Sequence, residues 1–399
     1  MNEPVHCLWL SFSGVNLIAV KESRRKVQHA TLRPDLPKES AMIFRPLLFL
    51  FFIASLLPVS QNLAQSVSTA MINVPYKGKD YIGQPLAWDG KDVVLLRRDG
   101  RISRLPATDL NSMDVVKEQY VPFGSQEMAR ELRVEFGSKY QVSLTKNFVV
   151  VHPPGSAKKW ARPFQDLYYR FGVFFKSRGV EPDEPQTPLV AIVLRTRGEY
   201  DRFIKNYQPG LEYSAGYYSS RSNRIITYDH SDHGNWLDSN DTIVHEAAHQ
   251  TAYNTGIHRR FASPPRWLTE GLAQLFEAKG INSNRFGQRS QRINKQAMQK
   301  LMELYENKEV TGALEELVQS DNMFRTDLDK AYAVSWGVSF FLLENYPKKY
   351  VAYLSHDGDR EPFRGYTRTR RAEDFAEFFG ANFTKFETRM KIFFDDLNK

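Results

Sequence analysis

Asp241-Thr-Ile-Val-His245-Glu246-Ala-Ala-His249-Gln-Thr-Ala-Tyr-Asn-Thr-Gly256 is the stretch around which the chain is organised. Two histidines four apart fall on one face of a helix, one above the other. Their ring nitrogens can converge on a single metal ion. Glu246 sits about 100° round the helix from His245. It is placed not to share that ion but to take a proton from a water beside it, as a general base does. Ile243, Val244, Ala247, Ala248 and Ala252 surround these polar residues, so the pattern predicts a buried helix. Polar side chains there are costly without partners, and a metal is one such partner. Asp238, Ser239 or Asn240 can cap the helix at its start, and Gly256 can close its end.

A zinc hydrolase needs three protein ligands and an open position. The single cysteine, Cys7, excludes both a cysteine metal site and an internal disulfide, leaving histidine and carboxylate as ligands. The next predicted helix is Arg266-Trp-Leu-Thr-Glu270-Gly-Leu-Ala-Gln-Leu-Phe-Glu277, preceded by Ser263-Pro264-Pro265 as a cap and first-turn proline. Glu270 is the natural third ligand, and Gly271 and Ala273 would let this helix approach the first closely. His258, just past Gly256, is the competing candidate. The histidine-ligand pattern H-E-x-x-H-x-x-G-x-x-H needs glycine where Ala252 stands and histidine where Thr255 stands, so His258 comes too late in the chain.

Trp267-Leu-Thr-Glu-Gly-Leu-Ala-Gln-Leu-Phe-Glu277 resembles the signature of the glutamate zincins of the aminopeptidase-N-like kind, and of their peptidase-MA-like secreted relatives. The resemblance spans about residues 210–395. It implies a zinc metallopeptidase of the gluzincin type, with Zn2+ on His245, His249 and Glu270 and with Glu246 as base. It extends to Tyr332-Ala-Val-Ser-Trp-Gly-Val-Ser-Phe-Phe-Leu-Leu-Glu344, where the family has a tyrosine facing the tetrahedral intermediate. Tyr332 matches in spacing, although the family's neighbouring Lys-Gly is missing. The family's amine-capturing glutamate would fall near Gly216, where this chain reads Ala-Gly-Tyr-Tyr-Ser-Ser. Aminopeptidase specificity therefore does not carry over.

Around this core the sequence reads strands first and helices after, an α+β order. Lys146–Val151, Pro188–Leu194, 215–218 and Arg224–Tyr228 are predicted strands. The last two form a hairpin. Arg224, Ile225, Ile226, Thr227 and Tyr228 are expected to be the edge strand on which an extended peptide substrate lies. Trp160, Phe164, Leu167, Tyr168, Phe171 and Phe175 recur at helical spacing as core. His230 and His233 are candidates for the site rim or for a second metal.

Residues 71–122 read as a small β module, its apolar runs separated by Asp89-Gly90 and Asp99-Gly100. It resembles SH3-like domains of the SLA1-homology kind, and is a candidate for binding the cell envelope. The zincin-like domain is expected over 125–399. Met42-Ile-Phe-Arg45, an apolar run to Val59 and the small residue Ala64 predict a signal peptide over 42–64, after an upstream extension at 1–41. These place the protein outside the cytoplasm, secreted or in the cell envelope, with no stable membrane span after cleavage. The net charge is +8, but the basic residues are dispersed and form no nucleic-acid surface. The alternative to a peptidase is a secreted binding or structural protein whose zincin core is catalytically silent.

Overall fold

A computed structural model describes residues 69–399 apart from 89, 109–112, 156, 208–213, 230–235 and 284–286. The expected extension and signal peptide, and His230 and His233, lie outside the described residues. The fold is α+β.

The first unit is antiparallel: β1 (Met71–Tyr76), β2 (Lys79–Trp88), β3 (Asp92–Arg97), β4 (Ile102–Pro106) and β5 (Asp114–Lys117) pair in the order β4-β3-β2-β1-β5. A strand with one solvated face alternates apolar and polar residues, yet β3 reads Val93-Val-Leu-Leu96 without a break. The reason is that both its faces are covered. Val93 and Leu95 join Ile72, Val74 and Leu105 in the core of the unit itself. Val94 and Leu96 face the other way, into a cluster with Leu86, Phe261 and Phe363. The β module is thus packed onto the larger domain through an apolar seam.

The second unit begins with α1 (Ser125–Phe136), β6 (Gln141–Leu144), β7 (Phe148–His152), α2 (Ala157–Trp160), α3 (Arg162–Lys176), β8 (Leu189–Leu194), α4 (Arg197–Tyr207), β9 (Gly216–Ser219) and β10 (Arg224–Tyr228). Its sheet runs β6-β7-β8-β10-β9. Strands β7, β8 and β10 are parallel, and β6 and β9 are antiparallel at the two edges. The continuous apolar runs of β7 and β8 again reflect two covered faces. Phe148, Val150, Ala191 and Val193 face the aromatic stripe of α3. Val149, Val151, Val190 and Ile192 face Met128 and Leu132 of α1 and Tyr200 and Ile204 of α4.

Helices follow: α5 (Trp236–Asn254), α6 (Arg266–Glu277), α7 (Lys295–Glu306), α8 (Ala313–Gln319), α9 (Met323–Thr326), α10 (Leu328–Asn345), α11 (Pro347–Gly358), α12 (Arg368–Phe379) and α13 (Phe383–Leu397). From Ala333 to Leu343 every residue of α10 is buried, as befits a central helix apolar all round. Helix α6 lies between α5 and α10. Among the described residues, no helix is long and apolar enough to cross a membrane.

Three expectations are corrected here. The strand Arg224–Tyr228 is not an edge: β10 bonds to β8 on one side and β9 on the other, so its backbone has no free groups for a substrate. Arg224 is further committed to a bidentate pair with Glu135, at 2.7 and 2.9 Å. The edge is β9. Gly271 does not face α5. A methyl group there would come within 2.6 Å of the Ser335 carbonyl oxygen, so the missing side chain admits α10. Caps also differ. Helix α5 starts at Trp236, which puts Asp238, Ser239 and Asn240 inside it. Ser263 does not cap α6, which begins at Arg266 after Pro265; the Arg266 N–H donates instead to Asp321 Oδ1 at 3.0 Å.

Candidate metal centre

The site forms where α5 and α6 cross. The apolar side of α5, Ile243, Val244, Ala247, Ala248 and Ala252, is buried in the core, which fixes the rotation of the helix. His245 and His249, one turn apart, then face α6. On α6 the fully buried Trp267, Leu268, Leu272 and Leu275 fix the rotation in turn and deliver Glu270 to the same point.

Three atoms converge there. Glu270 Oε2 lies 3.3 Å from His245 Nε2 and 3.3 Å from His249 Nε2, and the two histidine nitrogens are 3.1 Å apart. Among the described residues this is the only such group of potential metal ligands. Ligands about 2.0–2.2 Å from a tetrahedral ion are about 3.3–3.6 Å from one another, close to these separations.

The proton positions point the same way. His245 Nδ1 lies 2.6 Å from Glu277 Oε1, and a carboxylate can only accept. Nδ1 therefore carries the proton, which in the neutral ring leaves a lone pair on Nε2. Glu277 is held in turn by Asn294 Nδ2 at 2.5 Å. A ligand histidine oriented by a carboxylate is the usual support of a zinc site. Glu270 Oε2 is buried and faces both histidine nitrogens at 3.3 Å. Lone pairs meeting in a buried place need a positive charge between them. With only protons available, the field supplies one. Burial pulls His245 down, but hydrogen bonds to Glu270 and Glu277 outweigh it and raise its pKa well above the ordinary value. Burial raises Glu270, but the charge and hydrogen bonds of the two histidines outweigh it and hold its pKa well below the ordinary range. A divalent cation answers the same field, and the two-histidine, one-carboxylate donor set fits zinc. The three side chains keep 11–16% of their surface exposed.

Glu246 does not join the cluster. Its Oε2 accepts the Tyr218 N–H of β9 at 2.7 Å. In the register of the hairpin Tyr218 stands opposite Ile225, and its amide points off the free edge toward α5. Gly216 lets β9 come this close: a methyl group there would meet Thr242 Cγ2 at 2.6 Å and Glu246 Cγ at 3.2 Å. Burial raises the pKa of Glu246, against the pull of His245 and His249.

Tyr332, at the start of the second turn of α10, stands beside the cluster. Its ring centre is 6.5 Å from that of His245. Burial, helped by the charge of Glu270, raises its phenol well above the ordinary value, with Arg266 opposing; the phenol keeps its proton and can donate it in a hydrogen bond. Arg266 lies 3.6 Å from Glu270 Oε1 and stacks on Phe324 at 4.5 Å. His258 lies elsewhere. It is 1% exposed, its Nδ1 is 3.8 Å from Asp357 Oδ2, and it is outside the ligand cluster.

Sequence reasoning assigned no role to Glu277, Arg266 or the Tyr218 amide. Glu277 was detectable, since seven residues after Glu270 on a helix is the same face two turns on. Residues 239–364 match the family described as a protein of unknown function, DUF1570; the matched span holds His245, Glu246, His249, Glu270, Glu277 and Tyr332. The chain matches no curated protein.

Proposed function

We propose that this chain is a zinc-dependent peptide-bond hydrolase acting outside the cytoplasm. The observation that carries the reading is the convergence of His245 Nε2, His249 Nε2 and Glu270 Oε2 within 3.3 Å, with a fourth polar side chain, Glu246, beside them and bound elsewhere. Zinc, when held there, supplies Lewis acidity toward a carbonyl oxygen and makes water a better acid.

The protein's own groups supply the rest. Glu246, raised by burial, is suited to accept a proton from water and pass it to the leaving amine. The Tyr218 N–H fixes the direction from which that carboxylate works. Tyr332, held protonated, is placed to donate to the oxygen on which negative charge develops. Glu277 keeps His245 in the tautomer that presents Nε2. The substrate class we propose is a peptide or protein, whose amide bond is what a metal-activated water and a general base hydrolyse.

The test is Glu246→Gln, which keeps volume and all three ligands. We expect folded, zinc-loaded protein with kcat lowered about 10²–10⁴-fold on a broad peptide library. Equal cleavage by the variant and the parent would end the assignment of Glu246. No cleavage by the parent would leave the silent, binding form of this core.

A further inference from the structure

We infer that the N-terminal β module is a positioning element of the site: the tip of its β3–β4 hairpin, with Arg260, clamps the turn that carries β9. The tip is Arg98-Asp-Gly-Arg101. Gly100 has φ +77°, and a methyl group on it would lie 2.9 Å from Thr187 Oγ1 and 3.4 Å from Asn223 Nδ2. Only glycine takes that backbone form without strain and also leaves room for those two side chains. Just beyond the tip, the Ile102 N–H donates to the Arg221 carbonyl at 2.8 Å. Arg260, from the loop between α5 and α6, joins the two parts. Its guanidinium donates to the Gly100 carbonyl at 2.9 Å and to the Ser220 carbonyl at 2.9 and 2.5 Å.

Ser220, Arg221 and Asn223 belong to the turn between β9 and β10. The same turn is tied to the metal-bearing helix. Asn223 and Asn254, at the end of α5, exchange two hydrogen bonds of 2.8 Å, and the Tyr218 hydroxyl donates to Asn223 Oδ1 at 2.9 Å. One strand therefore links clamp and carboxylate: the module holds the turn, the turn sets β9, and the Tyr218 amide of β9 holds Glu246 at 2.7 Å. An edge strand has neighbours on one side only, so its position depends on what fixes its ends. A dedicated binding module would need no such contact with the turn behind the base.

The consequence for catalysis rests on Glu246 acting as the base, so the test carries a readout independent of hydrolysis. Arg260→Met keeps the aliphatic stem and removes the donors. Gly100→Ala disturbs the tip from the module side and decides the matter should the first variant not fold. Amide hydrogen exchange over 216–219 should quicken about 10-fold or more in both variants, with β7, β8 and zinc content unchanged. kcat should fall about 10-fold with little change in KM, and Arg260→Lys, which can still donate to one carbonyl, should recover part of both. Unchanged exchange over β9 in folded Arg260→Met, or faster exchange spread evenly over the whole domain, would overturn the clamp. A parent protein that cleaves nothing would end the hydrolase reading while the exchange result still decides the clamp.

Discussion

His249 and His258 stand at the end of α5 and just beyond it, both largely withdrawn from water, and they gather opposite kinds of neighbour. Around His249 and His245 are Glu270 at 3.3 Å, Glu277 at 2.6 Å from the far nitrogen of His245, and Glu246. One guanidinium, Arg266, lies 3.6 Å from Glu270. Around His258 is one carboxylate, Asp357, which already receives Arg360 Nε at 2.8 Å. The first cluster gathers more negative charge than its own cations offset, and its lone pairs point at one another. The second is balanced. Burial of a histidine is thus no sign of a metal site; the sign is buried negative charge in excess of the cations around it.

The comparison breaks most sharply at its ligands. Glu270→Ala should reduce zinc from about one per chain to near zero and abolish hydrolysis, while His258→Ala leaves both nearly unchanged. Metal analysis of the two purified variants side by side decides it, and the reverse pattern would transfer the site to His258. Next in size is Tyr332→Phe. With zinc retained, loss of one donor to the developing charge should lower kcat about 10²–10³-fold, read in steady-state kinetics with KM little altered. An unaltered kcat would make Tyr332 a packing residue. Smaller still is Glu277→Gln. The amide side chain keeps the shape but removes the negative charge behind His245, and zinc affinity measured by competition with a chelator should weaken about 10–100-fold.

Much of the first cluster was legible because helices are local. A spacing of four between the histidines, and the apolar pattern around Glu270, fix side-chain directions before any tertiary contact is known. What was not legible depends on distant pairing. Nothing within Arg224–Tyr228 says that β9 will lie outside it, and its five buried residues look the same as an apolar edge would. Gly271 promised a close approach without saying to which helix, and α10 took the place. Asp321 caps α6 from 55 residues away along the chain, whereas the nearby Ser263 has positive φ and caps nothing. β6 reads Gln-Val-Ser-Leu, too short and polar to be seen as a strand until β7 is beside it. The hold of the module on the β9–β10 turn involves residues more than a hundred positions apart, and no local pattern announces it.

The smallest expected effect tests the balanced cluster itself. His258 is buried, and that burial pushes its pKa below the ordinary histidine value, with Asp357 opposing and His249 and Arg360 adding to the fall. In the unfolded chain the ring titrates near 6.5. Above that pH neither state holds the proton, and burial of the neutral ring adds its full share to stability. Below it the unfolded state binds a proton that the folded state refuses, so stability declines as pH falls, until the depressed pKa is passed and both states are protonated. One such group changes stability by at most about 1.4 kcal/mol per pH unit. His258→Gln cannot titrate, so its denaturant-unfolding free energy should fall less steeply than that of the parent from pH 6.5 downward, with the two curves parallel above. His152, also buried and also lowered, is common to both proteins and cancels in the difference. Parallel curves throughout would mean that Asp357 stabilises the charged ring enough to offset burial, and the second cluster would then resemble the first.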